Sequence, residues 1–478
     1  MRGILAGQSF ESQSKAISNE RCLNLYPEVI PPPPGSKAKS NFVFYGVPGL
    51  STKYTIGTGP CRGCLFSNGR CFFVSGDSLY ELFSDLGSIL RGTLANDLKP
   101  VSIASNRFQL AISSANRTYI YDLTLNTITE IPVPTSHVSF ADGYFIGLTP
   151  GSQIIRISGQ YDGITWPVLD FASAEGDPDN LVAIITDHKE IWTLGEQSID
   201  VWYDSGNPDF PFERIPGALI EQGCAAARSP AKLDNSIFWL GSDTRGHGIV
   251  WRAQGYVPIR VSNHALEYQL STYSDISDAI GYPYQDQGHT FYVLNFPAAD
   301  RTWVFDAATN LWHERGSWHS ESSTWKRQRA QFHAKAFGMH LVGDKDNGKV
   351  YDQSINYFDD AGSPKRWLRS VPITANENKY LFPKDLELDL EVGEGMSIAL
   401  GGDDPGNPQI MMRYSKDGGY VWGNERKRGA GHEGERLYRC RWAGSLGQAR
   451  KPFLEFSGTD PIRYALVDCY ADVEGGTA

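Results

Sequence analysis

Between residues 60 and 360 the hydrophobic and polar positions repeat one pattern. A turn dipeptide precedes a run rich in aromatic and β-branched residues, a Gly/Asp/Asn turn follows, and a second alternating run closes the unit. "SNGRCFFVSGDSLYELF", "SNRFQLAISSANRTYIYDL" and "DQGHTFYVLNFPAADRTWVFD" are three examples. Alternation marks these runs as strands: Tyr119, Tyr121, Leu123 and Leu125 share one face of "TYIYDLTL". The turns fall near Asn68, Asn106, Asp142, Asp187, Asn235, Gln287 and Gly338. Such spacing is the period of one four-stranded propeller blade per repeat. A lone blade cannot bury both faces, whereas blades stacked around an axis bury them and leave only short edges. The expected fold is therefore all-β, a propeller of six or seven blades. One short helix is expected in "ESSTWKRQRAQFHAK", residues 321–335.

The pattern changes at both ends. Residues 1–55 read as an N-terminal arm that packs with the C-terminal region or with a neighbouring subunit. Four prolines, Pro31, Pro32, Pro33 and Pro34, give it an extended, stiff stretch. Residues 56–360 form the expected propeller. Residues 361–478 read as an additional antiparallel β domain, probed best by "LELDLEVGEG": Leu386, Leu388 and Leu390 lie on one face, Glu387, Asp389 and Glu391 on the other. Within the propeller, "FDAATNLWHE" resembles the turn of kelch-type repeats, with Trp312 expected to pack between blades.

Composition supports a globular chain: 478 residues, 41% hydrophobic, 21% charged, with 49 glycines and 27 prolines for turns. The net charge is −11. Residues 361–478 hold 16 basic and 17 acidic side chains, so nearly all the negative charge lies upstream. That excludes a protein that coats nucleic acid, which needs a basic surface to release counterions, but not one past which DNA slides. No apolar run reaches the ~18–20 residues of a membrane span, and the N-terminus lacks a signal-peptide pattern, so stable membrane insertion is not expected and synthesis is expected inside the cell.

The motifs for chemistry are thin. Cys61, Cys64 and Cys71 in "CRGCLFSNGRC" lack a fourth ligand at a zinc spacing, and with Cys22, Cys224, Cys440 and Cys469 they read as reduced, small, buried residues. His313, His319, His333 and His340 cluster loosely without a metal signature. Asp403 and Asp404 in "GDDPGNP" read as a turn; a calcium loop has a different pattern. No catalytic residue, cofactor site or metal site is assigned. "SKDGGYVW", from Ser415, resembles the Asp-box turn of sialidases. Asp417 would accept backbone N–H groups, Gly418 and Gly419 would adopt positive φ, and Trp422 would pin the hairpin to its sheet. Sialidases carry several such boxes within their blades; here one is recognised, outside the propeller, with Val421 in place of Thr. A sialidase also needs converging arginines, and no signature ties Arg156, Arg214, Arg245, Arg252 and Arg260 together. A propeller carbohydrate-binding protein or glycosidase therefore stands as the alternative, recognisable by charged side chains gathered in a central pocket. Arg426, Lys427 and Arg428, in a glycine-rich basic loop, are candidates for an interface or for facing DNA.

"RCLNLYPEV", "FYGVPGL", the propeller hairpins, the S-x-D-G-G-x-x-W turn and the terminal "SGTDPIRYALVDCYADVEGG" together resemble the tail nozzle, or packaged-DNA stabilisation, proteins of short-tailed phages. The resemblance implies a non-enzymatic virion protein, assembled in the host cytoplasm. It would form a homohexameric ring below the portal and its adaptor ring, retaining packaged DNA and conducting it during ejection. It also implies contacts with a tail needle or plug, with tail spikes or fibres, and with genomic DNA passing without sequence-specific binding.

Overall fold

Two-residue turns set the blades. In the computed structural model, Asn68–Gly69, Asp142–Gly143, His188–Lys189, Asp234–Asn235, Gln287–Gly288 and Phe337–Gly338 all have positive φ at both positions. That is the turn whose twist matches paired antiparallel strands. Each joins the first strand of a blade to its second. The second blade uses a longer turn instead, in which Asn106 Oδ1 accepts from the Phe108 and Gln109 N–H groups at 2.7 and 2.6 Å. The structure describes all residues except 1–4, 6, 16, 32–41, 175–178, 208–209, 244, 374–378, 397–405 and 477–478. Asp403 and Asp404 lie outside the described residues, as do Pro32, Pro33 and Pro34.

The described residues form seven blades. Five are four-stranded and continuous in sequence, from Cys61–Ser67 of the first to Val257–Arg260 of the fifth. The sixth begins at Ile280–Asp286 and ends at Leu311–His319. The seventh contributes Ala330–Ala336, Met339–Asp344 and Lys349–Ser354, and its fourth strand is Gly49–Thr55, antiparallel to Lys349–Ser354. That strand falls in the stretch read from sequence as the arm. Pairing the two ends of the propeller closes the ring without leaving a bare edge. Closure is tight: a Cβ on Gly343 in the seventh blade would sit 2.2 Å from Cys61 Sγ in the first. Trp312 packs between the fifth and sixth blades, among Phe238, Leu240 and Phe305, and its Nε1 donates to the Val261 carbonyl at 2.8 Å.

The expected helix at 321–335 is absent. Those residues form strands Thr324–Arg327 and Ala330–Ala336. Pairing with the outer strand of the sixth blade, where Trp318 and Trp325 meet edge to face at 5.1 Å, overrides the helical propensity of the Lys/Arg/Gln run. The α-helix among the described residues is His264–Ser271, capped by Asn263, whose side chain accepts from Leu266 N–H at 2.8 Å.

A β-sandwich abuts the sixth blade. Its first sheet continues the blade: Leu311–His319 pairs with Cys22–Leu23, followed by Trp367–Pro372, Phe453–Gly458, Gln409–Ser415 and Arg426–Gly429. The second sheet runs Leu25–Val29, Phe42–Gly46, Ala465–Gly475, Leu381–Leu390, Cys440–Ala443. Both contain N-terminal strands, so the arm completes the domain formed by the C-terminal region. Leu386, Leu388 and Leu390 point into the core with Trp367, Met412, Trp442 and Phe456, and their charged neighbours stay partly exposed.

Candidate functional site

The hairpin at Ser415 is built on backbone hydrogen bonds. Asp417 Oδ1 accepts from Tyr420 and Val421 N–H at 3.1 and 3.0 Å and from Ser415 Oγ at 2.7 Å. These bonds, led by that of Val421, hold the Asp417 carboxyl below the usual carboxylate range. Gly418 and Gly419 have φ of 80° and 89°. The Gly419 carbonyl accepts from Asn19 Nδ2 at 3.3 Å, so the turn also grips the N-terminal arm. Trp422 is half-buried, edge-on to Phe453, with the Arg413 guanidinium 5.3 Å from its ring. Asp417→Ala is expected to lower sandwich stability by about 0.5–1.5 kcal/mol, the net worth of a turn hydrogen bond whose donors can turn to water. Hydrogen exchange should accelerate at the amides of Tyr420 and Val421 and stay unchanged in the propeller.

Arg426, Lys427 and Arg428 lie on a strand where the sequence reading had a loop. Arg426–Gly429 is the outermost strand of the long sheet, in register with Gln409–Met412. The hydrophobic strand beside it, Ile410 to Met412, supplies a template that local composition does not reveal. All three cations are exposed. Nearby arginines are paired, Arg436 with Glu394, Arg439 with Glu387 and Arg441 with Asp385, whereas these three have no carboxylate within 4.0 Å among the described residues. Basic side chains on an edge strand also discourage unwanted pairing. Pro31 is exposed just beyond strand Leu25–Val29, at the far margin of the other sheet.

The propeller axis has two ends. Where the inner strands begin, Arg228 reaches across from the fifth blade to the carbonyls of Pro100 and Ser136 at 3.2 and 3.3 Å, preceding the inner strands of the second and third blades. Where they finish, the fourth to seventh blades surround a cavity of about 410 Å³ that includes His333 and His340. His333 Nε2 and His340 Nδ1 lie 2.9 Å apart. His313 is fully buried elsewhere, accepting from Arg315 Nε at 3.3 Å, and His319 is the exposed last residue of strand Leu311–His319. The histidines thus separate into a pair and two isolated rings, which loose sequence clustering could not distinguish.

Neither the cysteines nor the arginines converge. Cys61, Cys64 and Cys71 sit on the two inner strands of the first blade as free thiols, with burial pushing Cys61 and Cys71 up to about 12. No group of three potential metal ligands occurs among the described residues. Arg156 bonds the Val168 carbonyl, while Arg214, Arg252 and Arg260 engage Asp200, Asp234 and Glu267, each on the third or outer strand of its own blade. Arg245 is in a turn of the fifth blade. A second Asp turn, "QYDGITW", was missed because its Asp–Trp spacing is one residue shorter. Asp162 Oδ1 accepts from Ile164 N–H at 2.9 Å, and Trp166 Nε1 donates to the Gly163 carbonyl at 2.8 Å. It braces a loop of the third blade that exposes Val168 and Leu169.

A seven-bladed propeller among the described residues, fused through its sixth blade to a sandwich, defines a two-domain all-β protein. Residues 12–355 match the family model described as "Bacteriophage P22 Gp10, beta-propeller", and residues 366–474 match "Bacteriophage P22 Gp10, beta-sandwich". The chain belongs to this Gp10 family, a family of phage tail structural proteins that stabilise packaged DNA. No curated protein matches. Among solved structures, it is similar to a chain of the mitotic checkpoint complex (10% identity, 68% of this chain and 97% of that one, TM-score 0.38). It is also similar to the N-terminal domain of Nup159 (10%, 70% and 98%, 0.40) and to PorZ of Porphyromonas gingivalis (11%, 68% and 43%, 0.35).

Proposed function

We propose that the chain is the nozzle subunit of a short phage tail. Six copies form a ring below the portal and its adaptor ring, close the channel to retain packaged DNA, and conduct that DNA during ejection. The family match carries the reading. The charge distribution supports it: an acidic propeller repels the phosphate backbone and lets it slide, where a basic lining would grip it. A ring needs a heterologous interface that closes on itself. The sandwich supplies surface for neighbours, since Arg426, Lys427 and Arg428 are exposed without acidic partners. The adaptor ring is the partner assigned to this edge, and the arm around Pro31–Pro34 clasps a neighbouring subunit. A tail needle or plug and tail spikes or fibres complete the partner set.

The test combines assembly with docking. The wild-type chain should sediment at six times its own mass and show six-fold rings in negative stain. Reversing Arg426, Lys427 and Arg428 to Glu should leave the ring intact and weaken adaptor binding at least about tenfold, the scale of losing several close charge contacts. A monomer in solution would refute the ring; unchanged docking would move the adaptor contact elsewhere.

A further inference from the structure

The cavity at the finishing end of the inner strands has a chemistry that a structural role leaves unused. Four successive blades build it. Asp187 ends the inner strand of the fourth, Lys232 lies on that of the fifth, Tyr284 on that of the sixth, and His333 and Lys335 on that of the seventh. Neither lysine has a carboxylate within 4.0 Å among the described residues. The acids at hand are engaged: Asp187 meets His188 at 2.9 Å, and Asp234 meets Arg252 at 2.8 Å. We propose that this cavity binds a phosphate group, held by the ammonium groups of Lys232 and Lys335 with the His333–His340 pair beneath it.

The residue types favour phosphate. Lysine binds phosphate as a compact, flexible point charge with three donors, so two ammonium groups on one cavity can meet a tetrahedral oxyanion without a fixed approach plane. The acids that line the site, Asp187 and Asp234, are paired with His188 and Arg252, so neither neutralises a lysine by direct contact. Partial desolvation against the cavity wall lowers Lys232, offset in part by Asp187, although the residue stays exposed. Burial, then the neighbouring imidazole and Lys335, pushes His333 down to about 3. A bound anion would relieve both penalties. Asp286 and Asp352, which act on His340, set the limit on how strongly the site attracts charge. The proposal does not depend on the nozzle reading, because the site is internal to one propeller.

Isothermal titration of the full-length protein with inorganic phosphate, and separately with a deoxynucleoside 5′-monophosphate, decides the matter. One saturable site per chain is expected. It should weaken at least about tenfold in Lys232→Met and in Lys335→Met, and vanish in the double variant, as loss of close charge–phosphate contacts requires. Tighter binding of the monophosphate would identify an organic phosphate as the ligand; equal binding would identify the free ion. The exposed, unpaired lysines are dispensable for folding, so thermal midpoints should match wild type. Reversing Arg426, Lys427 and Arg428 should leave this binding unchanged. Heat that does not saturate, that survives in the double variant, or that disappears with the sandwich triplet instead would overturn the proposal.

Discussion

Lowering the pH below 6.5 should destabilise the fold steeply, by up to about 4 kcal/mol per pH unit. Three histidines, His137, His313 and His333, are held neutral: burial lowers each, helped by Arg228 beside the first, Arg315 beside the second and His340 beside the third. In the unfolded chain each takes a proton near pH 6.5. Below that pH the unfolded state therefore binds more protons than the native state, so stability rises with pH and falls on acidification. Each contributes about 1.4 kcal/mol per pH unit, and three give the total. His289 has the opposite sign. Its bond to Asp306 at 2.7 Å raises it, so its contribution is complete below pH 6.5 and is lost as pH climbs through the raised value. The two effects act in adjoining windows and place maximum stability near neutrality. Urea unfolding from pH 7.5 to 5.0 measures the slope. His313→Gln, which cannot titrate, should reduce it by about a third, or about 1.4 kcal/mol per pH unit. A flat profile across this range would show that these rings protonate in the native state.

Arg21→Met should cost about 3–5 kcal/mol, and adding Glu314→Met should restore most of it. Arg21 Nε and Nη2 hold the two oxygens of Glu314 at 3.1 and 2.5 Å, and Ser9 Oγ donates to the same carboxylate at 3.0 Å. Burial opposes the charge on Arg21, but Glu314 overrides it and the guanidinium's pKa is raised. Glu314 is only 7% exposed. Without Arg21 its charge keeps the hydroxyl of Ser9 and loses a bidentate cation, the situation in which a buried carboxylate is most costly. The pair sits at the junction of the two domains. Leu23 lies parallel to Glu314 on the sixth blade and antiparallel to Leu368 in the sandwich. Calorimetry should show the single variant separating into two transitions as propeller and sandwich uncouple. The double variant, apolar on both sides, should return towards one. A single variant as stable as wild type would show that strand pairing alone joins the domains.

Local signals were legible to different depths. All seven turns named from sequence fall at the first hairpin of a blade; Asn68–Gly69, Asp142–Gly143 and Gln287–Gly288 specify positive φ without distant help, three others reach it with different residues, and the turn at Asn106 is longer. The helix expected at 321–335 gave way to strands because cross-strand pairing with Leu311–His319 outweighs propensity. The basic stretch at Arg426 read as a loop because its composition is polar; its strand character comes from the neighbour at Gln409–Ser415. The axial cavity was invisible, since Asp187, Lys232, Tyr284 and Lys335 are spread over some 150 residues and no motif links them.

The chain by itself determined the all-β class, the repeating hairpins, the inward leucines of Leu381–Leu390 and the place of Trp312 between blades. Each follows from periods of two residues or from turn chemistry acting over a few. Only the tertiary structure decided that the described residues form seven blades, that Gly49–Thr55 closes the last of them, and that the sixth runs unbroken into the sandwich through Cys22–Leu23. Those are contacts across roughly 300 residues. A strand's sequence records which face it buries, but not which distant edge will accept its hydrogen bonds, because backbone donors and acceptors are the same in every strand.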